Sequence, residues 1–170
     1  MYHTVIIGGG CLGAATAVSL QRKLNSIGKG DKVCLIEKAV LCAAESSRHS
    51  GIVRSANADP DASMMANLST KMWKDLSGIW GLKMELDEFG AIWIAKKNED
   101  GENPAWSELA ERMKKIDLKF EEISSKSAIS KCGTTLITDE NESYFFEPGA
   151  FQLDPSILRS TLYNAIDTNG

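Results

Sequence analysis

A glycine-rich bend close to the amino terminus restricts the fold of this chain more than any other feature. Residues 4–7 (TVII) are apolar throughout and predict a buried strand, and residues 14–24 have the apolar spacing of a helix. Between them lies the pattern Gly-x-Gly-x-x-Gly, formed by Gly8, Gly10 and Gly13. Gly8 permits a tight turn, Gly10 lets a diphosphate approach the backbone, and Gly13 lets the helix pack closely on the strand. The helix start then offers N–H groups and partial positive charge to the diphosphate.

An acidic residue follows the bend at the spacing of a dinucleotide-binding unit. Residues 32–38 (KVCLIEK) predict a second buried strand that ends in Glu37, which lies 24 positions after Gly13. The first 38 residues therefore predict a β-α-β unit with parallel strands. Glu37 can accept hydrogen bonds from both hydroxyls of an adenosine ribose, and its charge disfavours the 2′-phosphate of NADP. FAD and NAD share this fingerprint, so the unit alone leaves both open.

Beyond this unit the pattern predicts a long polar loop, three helices and several short strands. The loop covers residues 39–58 and is rich in Ser and Gly. The three helices begin at Asp59-Pro60, Asn103-Pro104 and Asp154-Pro155, each a capping residue followed by proline. The predicted strands cover residues 89–95, 120–123, 135–138 and 143–146.

Helix boundaries and inward faces follow from the apolar spacing. The first of the three helices is expected to end near Trp80 and Gly81, and the last near Asn169-Gly170. The first is expected to bury one stripe, which contains Met65, Leu68, Met72, Leu76 and Ile79, and Met64 is also interpreted as core. The other two are expected to bury Leu109, Ala110, Met113 and Ile116, and Ile157, Leu158, Leu162 and Ile166.

Composition narrows the class of protein. The 170 residues are 43% apolar and 25% charged, which is enough apolar material to bury a core. The net charge of −4 argues against a nucleic-acid binder, and no apolar run approaches the roughly 20 residues that span a bilayer. The four cysteines have no Cys-x-x-Cys spacing, so we expect free thiols and no metal site. The start does not resemble a signal peptide, so we expect a cytoplasmic protein.

Five segments together resemble the D-amino acid oxidase, glycine oxidase and sarcosine oxidase superfamily of flavoenzymes. TVIIGGGCLGAATAVSL and CLIEK look like its first strand, bend, helix and ribose-binding strand. ESSRHSGIVR looks like the Ser- and Gly-rich loop that runs under the flavin. FGAIWIAKK resembles a strand of the substrate domain, and FFEPGAFQLDPSILRSTLYNAI resembles the return to the cofactor domain. The resemblance implies FAD as the cofactor, and the long loop after Glu37 argues against a plain NAD dehydrogenase.

The resemblance also implies an α/β fold. A Rossmann-like FAD/NAD(P)-binding β-α-β domain would be followed by the start of an α+β substrate domain. By this interpretation residues 1–80 form the first part of the FAD-binding domain, 81–145 a partial substrate domain, and 146–170 the return to the FAD-binding domain. Members of the superfamily are about twice this length, so we expect a fragment of a larger two-domain fold. A partner chain or a missing C-terminal segment would complete it.

The residues that the resemblance assigns to FAD lie in the bend, at the end of the second strand and in the loop. They are Gly8, Gly10, Cys11, Leu12, Gly13, Glu37, Lys38, Ser46, Ser47, Arg48, His49, Ser50 and Gly51. Lys38 either lies over the adenine or is a solvated surface lysine. Some relatives attach flavin covalently through a histidine near His49, but their flanking motif differs, so a non-covalent contact or no contact is favoured. Arg54 either binds a substrate carboxylate or forms an exposed salt bridge.

The resemblance implies an FAD-dependent oxidoreductase that oxidises the C–N bond of an amine or amino acid, with hydride passing to flavin N5. Two alternatives stay open. One is an FAD-dependent dehydrogenase that acts on the C–O bond of a hydroxy acid or glycerol-3-phosphate, and the other is a subunit that binds FAD without catalysis. No acid–base pair can be identified, so the catalytic residues are unknown.

Overall fold

The computed structural model describes residues 2–79, 86, 88–133 and 136–167 of the chain. Within these residues the helices are α1 (Cys11–Ser26), α2 (Pro60–Ile79), α3 (Pro104–Lys115), α4 (Ser125–Cys132) and α5 (Pro155–Asp167). The strands are β1 (Tyr2–Ile7), β2 (Lys32–Ile36), β3 (Ile52–Val53), β4 (Ala91–Lys96), β5 (Glu121–Ile123), β6 (Glu142–Glu147) and β7 (Phe151–Gln152). The chain divides into a first unit, Met1–Gly51, Leu76–Glu85 and Leu153–Gly170, and a second unit, Ile52–Asp75 and Leu86–Gln152.

The first unit is built on a parallel pair of strands. β1 pairs with β2 in parallel, so that Ile6 lies opposite Leu35. α1 connects the two strands and packs against β2 and α5. Its buried face contains small and branched apolar residues, namely Ala14, Ala17, Val18 and Leu24. The β-α-β unit predicted from the glycine pattern is therefore confirmed.

The strands of this pair are less buried than the sequence predicts. Val5 is 53% exposed and Ile7 is 86% exposed. Continuous apolar runs are typical of strands that are covered on both faces by helices. In the described part of the chain this sheet has only the two strands β1 and β2, so several of their apolar side chains remain uncovered. The prediction of buried strands is therefore wrong for these residues.

The second unit contains a three-stranded antiparallel sheet in the order β4-β6-β5. α3 contributes Leu109 and Met113 to a core that also contains Phe120 and Phe145. These two phenyl rings stack with centroids 5.5 Å apart, and Trp93 of β4 packs against the same core. Large aromatic side chains bury much apolar area, and they give this sheet a stable face under α3. β3 and β7 form a separate antiparallel pair.

Helix α2 begins where the Asp-Pro pair predicts, because Asp59 Oδ1 accepts a hydrogen bond from the Asp61 N–H at 2.9 Å. Its predicted inward stripe is wrong in the described side chains. Met65, Leu68 and Met72 are exposed, and so is Met64. The side chains of Leu76 and Ile79 lie outside the described residues.

Two hydroxyl-bearing residues occupy the inward face of α2 instead. The buried Ser63 Oγ donates to the backbone oxygen of Asn57 at 3.0 Å. The buried Thr70 Oγ1 lies 3.0 Å from Ser55 Oγ, within hydrogen-bond distance. A hydroxyl that has a hydrogen-bond partner can be buried at little cost in free energy. Hydropathy spacing does not take such partners into account, so it selects the opposite face of this helix.

Several smaller elements also differ from the prediction. The long loop contains a 3₁₀ turn at Glu45–Ser47 and the short strand β3, and α4 is not predicted by the sequence. Residues 136–138 have no regular structure, and Thr135 lies outside the described residues. So do the predicted helix ends at Trp80, Gly81 and 169–170. None of the helices in the described ranges is both long enough and apolar enough to cross a membrane.

Candidate functional site

The glycines of the bend bring the end of β1 directly against the start of α1. Gly8 has φ +103°, in the region that residues with a side chain rarely adopt. Its N–H donates to the Ile36 carbonyl oxygen at 2.8 Å, which continues the strand pairing to the bend. A Cβ added at Gly13 would lie 1.9 Å from the Gly8 carbonyl oxygen. This close approach therefore requires glycine at position 13.

The first turn of α1 is open to a ligand. Gly10 is the N-cap and supplies no side-chain hydrogen bond to the turn. The first N–H groups of a helix have no acceptor within the helix itself. The Cys11 N–H donates to Ser46 Oγ at 3.0 Å, and the Leu12 side chain is 82% exposed. The remaining N–H groups and the helix dipole favour an anion at this position.

The Glu37 carboxylate lies against the bend, as its spacing predicts. Its Oε2 accepts the Gly9 N–H at 2.7 Å and its Oε1 accepts the Ala39 N–H at 3.0 Å. These bonds, first the one from Gly9, lower the pKa of Glu37 below its usual range. The ionised carboxylate has further lone pairs for hydroxyl groups of a ligand. Lys38, the next residue, is exposed.

Cys42 makes a second contact to the bend that the sequence does not indicate. Its N–H donates to the Gly9 carbonyl oxygen at 2.8 Å. Together with Glu37, Cys42 therefore satisfies both backbone polar groups of Gly9. Cys42 is buried and has φ +55°, which is uncommon for a residue with a side chain. Burial raises the pKa of its thiol.

His49 hydrogen-bonds to the backbone of the loop that contains the predicted flavin contacts. Its Nδ1 accepts the Gly51 N–H at 2.9 Å, and its Nε2 lies 3.1 Å from the Ser46 carbonyl oxygen. A carbonyl oxygen only accepts, so Nε2 carries the proton and Nδ1 does not. The geometry therefore assigns the neutral Nε2–H tautomer, in which both ring nitrogens bind the backbone of the loop.

The other predicted loop residues differ in exposure. Gly51 is buried with φ +75°, and its carbonyl oxygen accepts the Leu153 N–H at 2.9 Å. Ser47 is half-buried, whereas Arg48 and Ser50 are exposed. The structure thus brings Ser46 to the bend and fixes the loop at Gly51 through the hydrogen bond from Leu153. Arg48 and Ser50 are exposed to solvent.

A cavity of about 560 Å³ in the first unit lies beside this loop. Ser47 lines it from the loop, and α5 supplies Ser156, Arg159 and Tyr163. The sequence does not indicate this cavity, because its two sides come from segments that are distant in the chain. Its lining carries charges of both signs, from the Arg159 guanidinium and the Asp154 carboxylate.

Arg54 belongs to the second unit. Its Nη1 donates to the Ala56 carbonyl oxygen at 2.8 Å, and its guanidinium lies 4.4 Å from the centre of the Trp93 ring. Within the described ranges it forms no ion pair with a carboxylate. Its predicted contact with a substrate carboxylate stays a prediction.

Comparison with known proteins gives a family for the whole chain. A family model described as FAD dependent oxidoreductase (DAO) matches residues 3–170. L-proline dehydrogenase from P. horikoshii is similar in structure, with a TM-score of 0.84 and 20% identity over 99% of this chain and 42% of its own. Glycine oxidase from Bacillus cereus has a TM-score of 0.76 and 20% identity over 100% of this chain and 45% of its own.

A third solved structure, L-amino acid deaminase from Proteus vulgaris, has a TM-score of 0.79 and 20% identity over 100% of this chain and 38% of its own. The chain thus spans less than half the length of these three proteins. At this identity the likeness shows the fold, which agrees with the predicted mixed α/β class. No curated protein sequence matches the chain.

The residues at the bend fit the cofactor of the matched family, which is FAD. A helix start with free N–H groups suits a diphosphate, and the ionised Glu37 suits the hydroxyl groups of a ribose. A Cβ added at Gly8 would meet no atom within 4 Å, so the space beside this glycine is open. The family and the cofactor inferred from sequence resemblance are confirmed by the family match. The chain belongs to the FAD dependent oxidoreductase (DAO) family.

Proposed function

We propose that this chain supplies the adenine-nucleotide part of the FAD site in an oxidoreductase that oxidises the C–N bond of an amine or amino acid. The observation that carries the proposal is the open first turn of α1, with the Glu37 carboxylate held against the same bend through Gly9. An ADP moiety requires two groups close together: a helix start that binds the diphosphate and an acidic residue that binds the ribose.

Each group at the bend has a separate role in this proposal. The N–H groups of the α1 first turn bind the diphosphate, and Gly10 keeps the approach free of a side chain. Glu37 accepts the ribose hydroxyls with the lone pairs that Gly9 and Ala39 leave free. Ser46 fixes the loop to the helix start through the Cys11 N–H and can donate its own proton to a phosphate oxygen.

His49 holds the loop in shape in this proposal and is not a covalent attachment point. Covalent attachment would need one of its ring nitrogens, and both are engaged with the backbone of Ser46 and Gly51. The flavin is therefore held without a covalent bond, and Lys38, Ser47, Arg48 and Ser50 stay predicted contacts of the cofactor.

The substrate class rests on the similar structures. Their names describe a proline dehydrogenase, a glycine oxidase and an L-amino acid deaminase, which all act on amino acids. FAD, when bound, supplies the ring that accepts two electrons as hydride from the carbon beside the nitrogen. Because the chain spans less than half of each neighbour, a partner chain or a further segment is proposed to supply the rest of the fold. A reducing, cytoplasmic location stays a prediction, which fits the four unpaired thiols.

The test begins with the visible spectrum of the purified protein before and after acid precipitation. We expect a flavin spectrum before precipitation and free flavin in the supernatant afterwards. Flavin that stays in the pellet would contradict the role given to His49. Anaerobic mixing of the protein, completed by its partner chain or further segment, with a panel of amino acids and hydroxy acids then tests the reaction. Bleaching by an amino acid is expected, and bleaching by hydroxy acids alone would replace the C–N assignment with the C–O alternative.

Matched variants test the role of the acid. Glu37→Ala removes the ribose acceptor, and Glu45→Ala removes an equal charge from an exposed position in the nearby loop. We expect Glu37→Ala to weaken FAD binding by at least about tenfold, since hydrogen bonds to a charged group are lost. Glu45→Ala should stay within about twofold of the parent, because it loses only a screened surface charge. Equal effects in both variants would contradict the assigned role.

A further inference from the structure

A second cleft, in the second unit, has the charge and the walls of a small-ligand site. It has a volume of about 370 Å³, which is in the range of small-molecule pockets. Its lining includes Arg54, Asn57, Trp93, Trp106, Leu109 and Arg112. Two guanidinium groups therefore face one cleft, and no Asp or Glu is among the described residues that line it.

Arg112 is the less satisfied of the two cations. It lies on α3, and its Nε atom is buried without a hydrogen-bond acceptor. A buried donor without an acceptor costs free energy unless a ligand or water supplies one. The carboxylate of the neighbouring Glu111 instead accepts a hydrogen bond from Lys114 Nζ at 2.6 Å.

Arg54 is held at the mouth of the same cleft with donors to spare. One nitrogen donates to the Ala56 carbonyl oxygen, and the guanidinium lies over the Trp93 ring. Since a guanidinium has five N–H donors in a planar fork, most of them remain for a ligand. Stacking on the indole fixes the plane of that fork.

The rest of the cleft is apolar. The Trp93 and Trp106 rings lie 5.6 Å apart at 58°, and the buried Leu109 is part of the lining. Such walls suit a flat hydrocarbon body and do not suit a compact, strongly hydrated ion.

We propose that this cleft binds a small carboxylate with a planar apolar body. The carboxylate would bridge Arg54 and Arg112, and the apolar body would lie along Trp93 and Trp106. The planar fork of each guanidinium matches the two oxygens of a carboxylate. The proposal does not depend on the FAD site, because every residue that carries it lies in the second unit.

The probe is phenylacetate, titrated into the 170-residue chain without flavin and followed by the indole N–H resonances of Trp93 and Trp106. We expect saturable shifts of both resonances. The uncharged analogue 2-phenylethanol should bind at least about tenfold more weakly, because it lacks the charge-assisted hydrogen bonds. Inorganic phosphate at the same concentration should not displace phenylacetate. Equal binding of the alcohol, or displacement by phosphate, would overturn the proposal.

Variants with the same charge change locate the site. Arg112→Met removes the cation with its unpartnered Nε and keeps an unbranched side chain, whereas Lys115→Met removes one positive charge at an exposed position of α3. We expect Arg112→Met to lose at least about tenfold in affinity without a lower melting temperature, and Lys115→Met to bind as the parent does. If Arg112→Met does not fold, the exposed Arg54→Met provides the same test. Parent-like binding in the folded arginine variant would overturn the assignment.

Discussion

Replacement of Glu147 by alanine should destabilise the second unit by at least about 3 kcal/mol. Glu147 is 1% exposed, and its carboxylate accepts the N–H groups of Ser55 and Ala56 and the indole N–H of Trp93. Loss of this acceptor leaves three donors without a partner, and each buried donor costs about 1–3 kcal/mol. The lower bound corresponds to a melting temperature that is lower by roughly 6–12 °C for a chain of this size.

Urea unfolding and amide hydrogen exchange measure this effect. Glu122→Ala is the matched control, because Glu122 lies exposed on β5 of the same sheet and should change the free energy of unfolding by less than about 0.5 kcal/mol. In Glu147→Ala the amides of Ser55 and Ala56 should exchange faster. A free energy of unfolding within about 0.5 kcal/mol of the parent, with unchanged protection of these amides, would refute the reasoning.

Three further predictions concern the glycine bend, the cysteines and the pH dependence of FAD binding. Gly13→Ala should prevent or strongly impair folding, since its Cβ would meet the backbone oxygen of Gly8. Gly10→Ala should fold and bind FAD more weakly, and thermal melts and FAD titrations distinguish the two variants. A stable Gly13→Ala protein would contradict the geometry. Iodoacetamide at neutral pH should label the exposed Cys132 and spare Cys42, because burial and a raised pKa keep Cys42 a protonated thiol. Peptide mass spectrometry measures which cysteine is labelled first, and equal labelling of the two would contradict this prediction. FAD affinity should not change through Glu37 between about pH 8 and pH 5, because its lowered pKa keeps it ionised there, and a loss beginning near pH 6 that Glu37→Ala abolishes would be inconsistent with this.

The sequence predicts local features of the fold well. Neighbouring residues determine the bend, α1 and β2, so Gly8, Gly13 and Glu37 are found together as their spacing predicts. The proximity of Glu37 to the bend is observed, and its contact with a ribose remains a prediction.

Features that depend on distant partners are not predicted. β3 and β7 have two residues each, so neither has an alternation of apolar and polar residues that is long enough to detect. About 100 positions of the sequence separate the two paired strands. The inward face of α2 is selected by hydroxyl groups such as Ser63 and Thr70, whose partners hydropathy does not reveal. Glutamate is usually found at the protein surface, but Glu147 is buried. The N–H groups that donate to its carboxylate lie in a loop about 90 positions earlier and on β4.

Binding of ADP to the amide groups of the bend tests the central claim most directly. In an NMR titration of the 170-residue chain with ADP, we expect saturable shifts of the backbone amides of residues 8–13 and of Glu37 and Lys38. The amides of the second unit, including the sheet β4-β6-β5, should stay unchanged. An absence of saturable shifts in residues 8–13, or shifts confined to the second unit, would contradict the claim that this bend binds the nucleotide part of FAD.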